Sequence, residues 1–164
     1  MTRNLKRIVN KKFALALLLG AGVMSGFAAQ ATTTQTILTQ SDVQKLIASA
    51  QEKAHALNAN VCIAVLDQSG QLLAFQRMDN APAGCIDSSI LKGRAAALYR
   101  TPTDKYMDRA NGKEPAIATL PGVIPLGGGS PVVWQEKTIG AVGVSGSANP
   151  NEIAIAKAAS EGMK

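Results

Sequence analysis

Between Leu120 and Ser147, glycine and proline punctuate a run of β-branched residues. The run reads Leu120-Pro121-Gly122-Val123-Ile124-Pro125-Leu126-Gly127-Gly128-Gly129-Ser130-Pro131-Val132-Val133-Trp134. After a short gap it resumes as Ile139-Gly140-Ala141-Val142-Gly143-Val144-Ser145-Gly146-Ser147. Breakers this dense cannot continue a helix, and the valines and isoleucines between them favour buried strands. Strands are expected at residues 123–126, 131–135 and 138–144, with Glu136-Lys137 as the tight turn between the last two. Gly127-Gly128-Gly129-Ser130 has no lysine after it, so it is not a nucleotide-binding loop. Its glycines serve either a turn or the close approach of a flat ligand.

The rest of the chain supplies helices and one more hairpin. Ser41-Asp42-Val43-Gln44 has the form of a capping box. Val43, Leu46, Ile47, Ala50, Ala54 and Leu57 then share one helical face. A first helix is expected over about 42–57, ended by Asn58 and Asn60. The apolar run at 61–66 and the segment 71–78 form a hairpin around Asp67-Gln68-Ser69-Gly70. Asp87 caps a second helix through Ile90, Leu91, Arg94 and Leu98, in which Gly93 marks close packing. Thr101-Pro102-Thr103 breaks it and starts a short helix ending near Gly112. Asn149-Pro150-Asn151-Glu152 opens the last helix, with asparagine as its cap. This order argues for an α+β fold, an antiparallel sheet of about five strands with helices packed on it.

The first 31 residues stand apart. Arg3, Lys6, Arg7, Lys11 and Lys12 precede a short uncharged apolar run, and Ala29-Gln30-Ala31 has the small-x-small form of a cleavage site. The apolar run is shorter than the ~20 residues of a spanning helix. Residues 1–31 therefore read as a secretory signal peptide, and 32–164 as one mature domain, periplasmic or secreted. The leader holds 5 of the 17 basic residues and none of the 11 acidic ones, so the domain's net charge is only +1. That balance gives no support to a nucleic-acid or membrane partner.

Cys62 and Cys85 are the only cysteines. Export permits a disulfide between them. The other reading is a buried Cys62 with a free Cys85. Two cysteines and one histidine make no zinc site. The single histidine also excludes a Ser–His–Asp triad of plausible order, and Gly143-Val144-Ser145-Gly146 lacks the spacing of a hydrolase elbow.

Two segments carry a family resemblance. Ala64-Val65-Leu66-Asp67-Gln68-Ser69-Gly70-Gln71-Leu72-Leu73-Ala74-Phe75-Gln76-Arg77-Met78-Asp79, taken with residues 120–146, resembles the GlcG/HbpS family of small haem-binding or haem-degrading-domain proteins. The likeness runs over nearly the whole mature chain. It implies a profilin-like domain, assembly into a homo-oligomer, and haem as cofactor. The haem would sit in an apolar crevice between the first helix, the second helix and the Gly-rich hairpin. His55, on the flank of the first helix, is the candidate axial ligand of the haem iron. A symmetric oligomer can supply a second histidine. Met78, Tyr99, Tyr106 and Met107 are the other candidate ligands. Arg77, Lys92, Arg94 and Arg100 are candidate propionate partners, and Gly128 offers bare backbone to the ring. Each of these residues also has a plain packing or surface role open to it.

The leading expectation is an exported, non-enzymatic haem-binding or haem-sensing protein. A second is a binding protein for a small organic acid, with Arg94 and Ser145-Gly146-Ser147 holding its carboxylate at a helix start. A third is a structural or signalling partner with no ligand.

Overall fold

The buried run at residues 61–66 is the centre of the molecule. The computed structural model describes residues 33–163, so the expected leader lies outside the described residues. The elements are α1 (Gln40–Ala56), β1 (Cys62–Asp67), β2 (Leu72–Arg77), α2 (Cys85–Tyr99), α3 (Thr103–Asn111), a 3₁₀ turn (Pro115–Thr119), β3 (Gly129–Trp134), β4 (Lys137–Ser145) and α4 (Asn149–Glu161). The sheet order is β2-β1-β4-β3 and every pairing is antiparallel. No helix among the described residues is long and apolar enough to cross a membrane.

Strand alternation sends the two sets of side chains to opposite faces. Ile63, Val65, Val132, Val142 and Val144 meet Val43, Leu46, Ala50 and Ala54 of α1 and Ile155, Ala156 and Ala159 of α4 in one core cluster. Cys62, Leu66, Ala141 and Gly143 face α2 instead. That second face is thin. A Cβ on Gly143 would overlap the carbonyl oxygen of Ser89, and one on Gly93 would strike the side chain of Leu66. The expected close packing at Gly93 is therefore real, and its partner is Gly143 on β4. Two bare backbones let α2 lie nearly in contact with the sheet.

Cys62 and Cys85 are joined, with Cα atoms 5.5 Å apart. The bond ties the start of β1 to the first residue of α2. Ala81, Phe75 and Ile86 cover it.

Four expectations are corrected. The sheet has four strands, because residues 123–126 form local turns instead. There Val123 donates to the Leu120 carbonyl and Leu126 to that of Ile124, and Pro121 and Pro125 have no donor for a ladder. The capping box of α1 is Thr39 with Asp42. The Thr39 hydroxyl accepts from the Asp42 amide (3.2 Å), while the Asp42 carboxylate accepts from the Thr39 amide (3.0 Å). Thr39 is extended and Ser41 already helical, so the cap falls two residues earlier. Helix α2 starts at Cys85, with Asp87 in its first turn and no side-chain cap. The β3–β4 turn is Gln135-Glu136, both at positive φ (46° and 63°). This is the twist-compatible two-residue hairpin turn.

Candidate functional site

Lys92 and Glu152 come from opposite layers of the domain, α2 and α4. They meet with Nζ and Oε2 2.7 Å apart, their side chains only 3% and 6% exposed. Gly128 makes the meeting possible. A Cβ there would lie 3.2 Å from Glu152 Cβ, 3.3 Å from Lys92 Cδ and against the Val144 carbonyl oxygen, and its φ of +119° suits glycine alone. The lysine therefore passes the end of the sheet where a side chain is missing.

The pair sits in a dense hydrogen-bond network, in which one buried atom, Asn149 Oδ1, has no partner among the described residues. Glu152 Oε1 accepts from the amides of Gly146 (2.7 Å) and Ser147 (3.2 Å) and from the Ser145 hydroxyl (3.3 Å). Oε2 accepts from Lys92 and from Asn149 Nδ2 (3.0 Å), which also donates to the Gly127 carbonyl (2.8 Å). Lys92 Nζ points as well at the Val144 carbonyl (3.4 Å) and Ser145 Oγ (3.5 Å), and the Ser88 hydroxyl donates to Ser145 Oγ (2.7 Å). Burial pushes the Glu152 carboxyl up. The Lys92 hydrogen bond and charge, the Gly146 amide and Asn149 outweigh that, and it titrates below its ordinary value. The carboxylate is thus held ionised in a buried pair with Lys92. The base beside Ser145 is the Glu152 carboxylate, and its oxygens are already committed to Lys92, Asn149 and the Gly146 and Ser147 amides. The network is a strut that clamps α2, α4 and the Gly-rich segment.

This arrangement accounts for the anion site expected at 145–147. The amides there do hold a carboxylate, and it is the protein's own Glu152. Asn149 turns its side chain to Gly127 and Glu152, leaving Ala148 as the cap residue of α4 without a side-chain bond. Ser145 and Gly128, both named as ligand contacts from sequence, lie in the strut.

The other expected site residues are scattered. Met78 is buried in the α1-side core. Arg94 Nε donates to the Gly70 carbonyl (3.1 Å) and so pins the β1–β2 turn to α2. The Tyr99 hydroxyl donates to the Pro121 carbonyl (2.7 Å). Its ring meets that of buried Tyr106 edge-on at 5.9 Å, and Arg109 lies over the Tyr106 ring. Arg77 donates to the Ala81 carbonyl. Met107 is half-buried, and Arg100 is exposed at the left-handed end of α2. His55 is exposed on α1, and no side-chain hydrogen bond involves it among the described residues. Helices α1 and α2 lie on opposite faces of the sheet. The expected crevice between them and the Gly-rich hairpin is therefore not formed, because the sheet itself stands in the way.

The sequence reading missed two features. One is Glu152 as the hub of the strut, foreshadowed by Lys92 on the small-residue face of α2. The other is a cleft of about 330 Å³ between the start of α3, the start of β3 and α4. A buried hydroxyl pair, Ser130 Oγ and Ser160 Oγ 2.8 Å apart, lines it. No group of three or more His, Cys, Asp or Glu able to hold a metal ion occurs among the described residues.

Known proteins share this architecture. Residues 38–161 match the family described as "Haem degrading protein HbpS-like". Protein GlcG of Escherichia coli K12 is 43% identical over 112 residues, covering 68% of this chain and 84% of GlcG. The crystal structure of a double mutant of Streptomyces reticuli HbpS superposes with a TM-score of 0.74 at 28% identity, over 81% of this chain and 91% of that one. Protein ORFY of Klebsiella pneumoniae does so with a TM-score of 0.73 at 29% identity, over 80% and 94%.

Proposed function

This chain belongs to the HbpS-like family of haem-degrading proteins, and we propose that it is an exported haem-binding protein with His55 as axial ligand. The observation that carries the ligand assignment is the state of His55. It is the chain's sole imidazole, it is exposed, and no other described side chain engages it. Of the other ligand candidates, Met78 is buried in the core and the Tyr99 and Tyr106 rings pack against each other.

The fit of haem to this domain is a surface fit. The cleft of about 330 Å³ is at the small end of ligand pockets and suits smaller molecules. On the exposed face of α1, His55 has Gln51 and Glu52 one turn before it and the small, exposed Ala48 two turns before it. The iron supplies the coordination chemistry. The protein's part is to present the His55 imidazole from a helix anchored by Leu46, Ala50 and Ala54. A symmetric partner would supply a second His55, so a homo-oligomer belongs to this reading. Among the described residues the one buried charged pair, Lys92–Glu152, is a structural strut and is not part of this reading.

Haem titrated into wild type and His55→Ala tests the assignment. The wild type should develop a saturable Soret band. His55→Ala should shift that band and weaken binding by about tenfold or more, since even outer-shell partners of metal ligands count on that scale. Its fold should be unchanged, because the side chain contributes nothing to the core. Identical spectra and affinity in the variant would exclude His55.

A further inference from the structure

We propose that the cleft between α3, β3 and α4 binds a small zwitterion of the free amino-acid class. The cleft is separate from His55 and independent of haem. Its floor is the first observation. The layer between β3 and α4 is aliphatic at Val132, Ile155, Ala156 and Ala159, yet Ser130 and Ser160 put two buried hydroxyls into it. Ser160 Oγ donates to the Lys157 carbonyl (3.0 Å), which commits Ser130 as donor of the 2.8 Å hydroxyl pair. Ser130 Oγ keeps its remaining acceptor capacity for the cleft. An ammonium group satisfies such an acceptor.

The rim is the second observation. Asp104 and Lys105 come from the first turn of α3, and Lys157 and Glu161 from α4. The ion pairs among the described residues are Lys92–Glu152 and Arg109–Glu114, so none of these four is paired. Lys157 and Glu161 are four apart on one helix, in the less favourable order for pairing, and they do not close on each other. Two cations and two anions around a polar floor match a ligand carrying one charge of each sign. A ligand with a single charge would leave two like charges of the rim unanswered. At about 330 Å³ the space accepts a small amino acid and excludes a macrocycle.

The test is an amide chemical-shift titration of the ¹⁵N-labelled mature chain with glycine and L-alanine. Acetate and methylamine, each carrying one of the two charges, are the controls. Saturable shifts at Gly129, Ser130, Lys157 and Ser160 are expected with the amino acids and not with the controls. Lys157→Gln and Glu161→Gln, both at exposed positions, should keep the apo spectrum and each weaken binding about tenfold, the worth of one charge-assisted hydrogen bond. Absence of saturable shifts with either amino acid would overturn the proposal. An equal response to acetate, or undiminished affinity in both variants, would overturn it as well.

Discussion

Lys92→Met should destabilise the domain by about 3–5 kcal/mol, the scale on which a buried charge loses its partner. Methionine keeps most of the length and volume, so the change isolates the charge. It strands the Glu152 carboxylate, only 6% exposed, with the Gly146 and Ser147 amides and neutral side chains as its remaining donors. Urea unfolding midpoints at neutral pH give the value. A second variant, Lys92→Met with Glu152→Gln, removes both charges and should recover part of the loss, because a neutral pair has no desolvated ion to support. A single-variant loss below about 1 kcal/mol would mean that the pair is no strut.

The same pair sets a pH dependence. The Glu152 carboxyl titrates below its ordinary 4.5 in the folded protein. Its contribution is therefore complete above that value and is lost as pH falls through the lower, folded one. In Lys92→Met, burial acts with its main opponent gone, and the carboxyl should move up. The sign then reverses: the variant's deficit is largest at neutral pH and shrinks as pH falls towards 4.5. Parallel acid-unfolding curves for the two proteins would contradict this.

Removing the disulfide is the second large effect. Cys62 and Cys85 close a loop of sequence separation 23. The chain-entropy model gives about 3 kcal/mol for such a loop, or roughly 10 °C in Tm for a domain of this size. Both sulfurs are buried, so mild reductant acts slowly and Cys62→Ala with Cys85→Ala is the cleaner comparison. The loss should be felt first where α2 starts, and with it the Ser88–Ser145 contact one turn further on. A double variant as stable as wild type would show that the crosslink contributes nothing.

Much of the fold was legible because its signals are local. The 61–66 run, the Asp67–Gly70 turn, the apolar face of α1 and the Pro150 start of α4 each depend on neighbours in sequence. Strand 123–126 was misread because β-branched composition suits a strand, while only the prolines on either side show that no ladder can run there. The caps at Ser41 and Asp87 were displaced for a related reason: several polar residues near each helix start fit the same rule.

The site was far less legible. Lys92 and Glu152 are 60 residues apart, and only the folded layers bring them together across Gly128. Seen in sequence, Gly127-Gly128-Gly129 and Ser145-Gly146-Ser147 look like ligand-facing backbone. In the fold Gly128 makes room for an internal ion pair, residues 145–147 donate to its carboxylate, and Gly127 and Gly129 clear Ile153 and the Lys92 carbonyl. Arg94, Tyr99 and Met78 were named for their chemistry, and each is occupied by a carbonyl or by the core. Ser130 and Ser160 carried no sequence signal, because a serine's burial is invisible without its partner. The family itself was readable from turn and packing residues, which fix the fold more firmly than the ligand.

Native mass spectrometry tests the central reading most directly. The chain from Met1, with its proposed leader, is expressed in haem-supplied bacteria, and the protein is taken from the periplasmic fraction. The account expects a chain beginning at Thr32, two hydrogens lighter than its reduced form, carrying non-covalent haem that His55→Ala loses. A periplasmic chain that is free of haem, and stays so when haem is added at micromolar concentration, would contradict it.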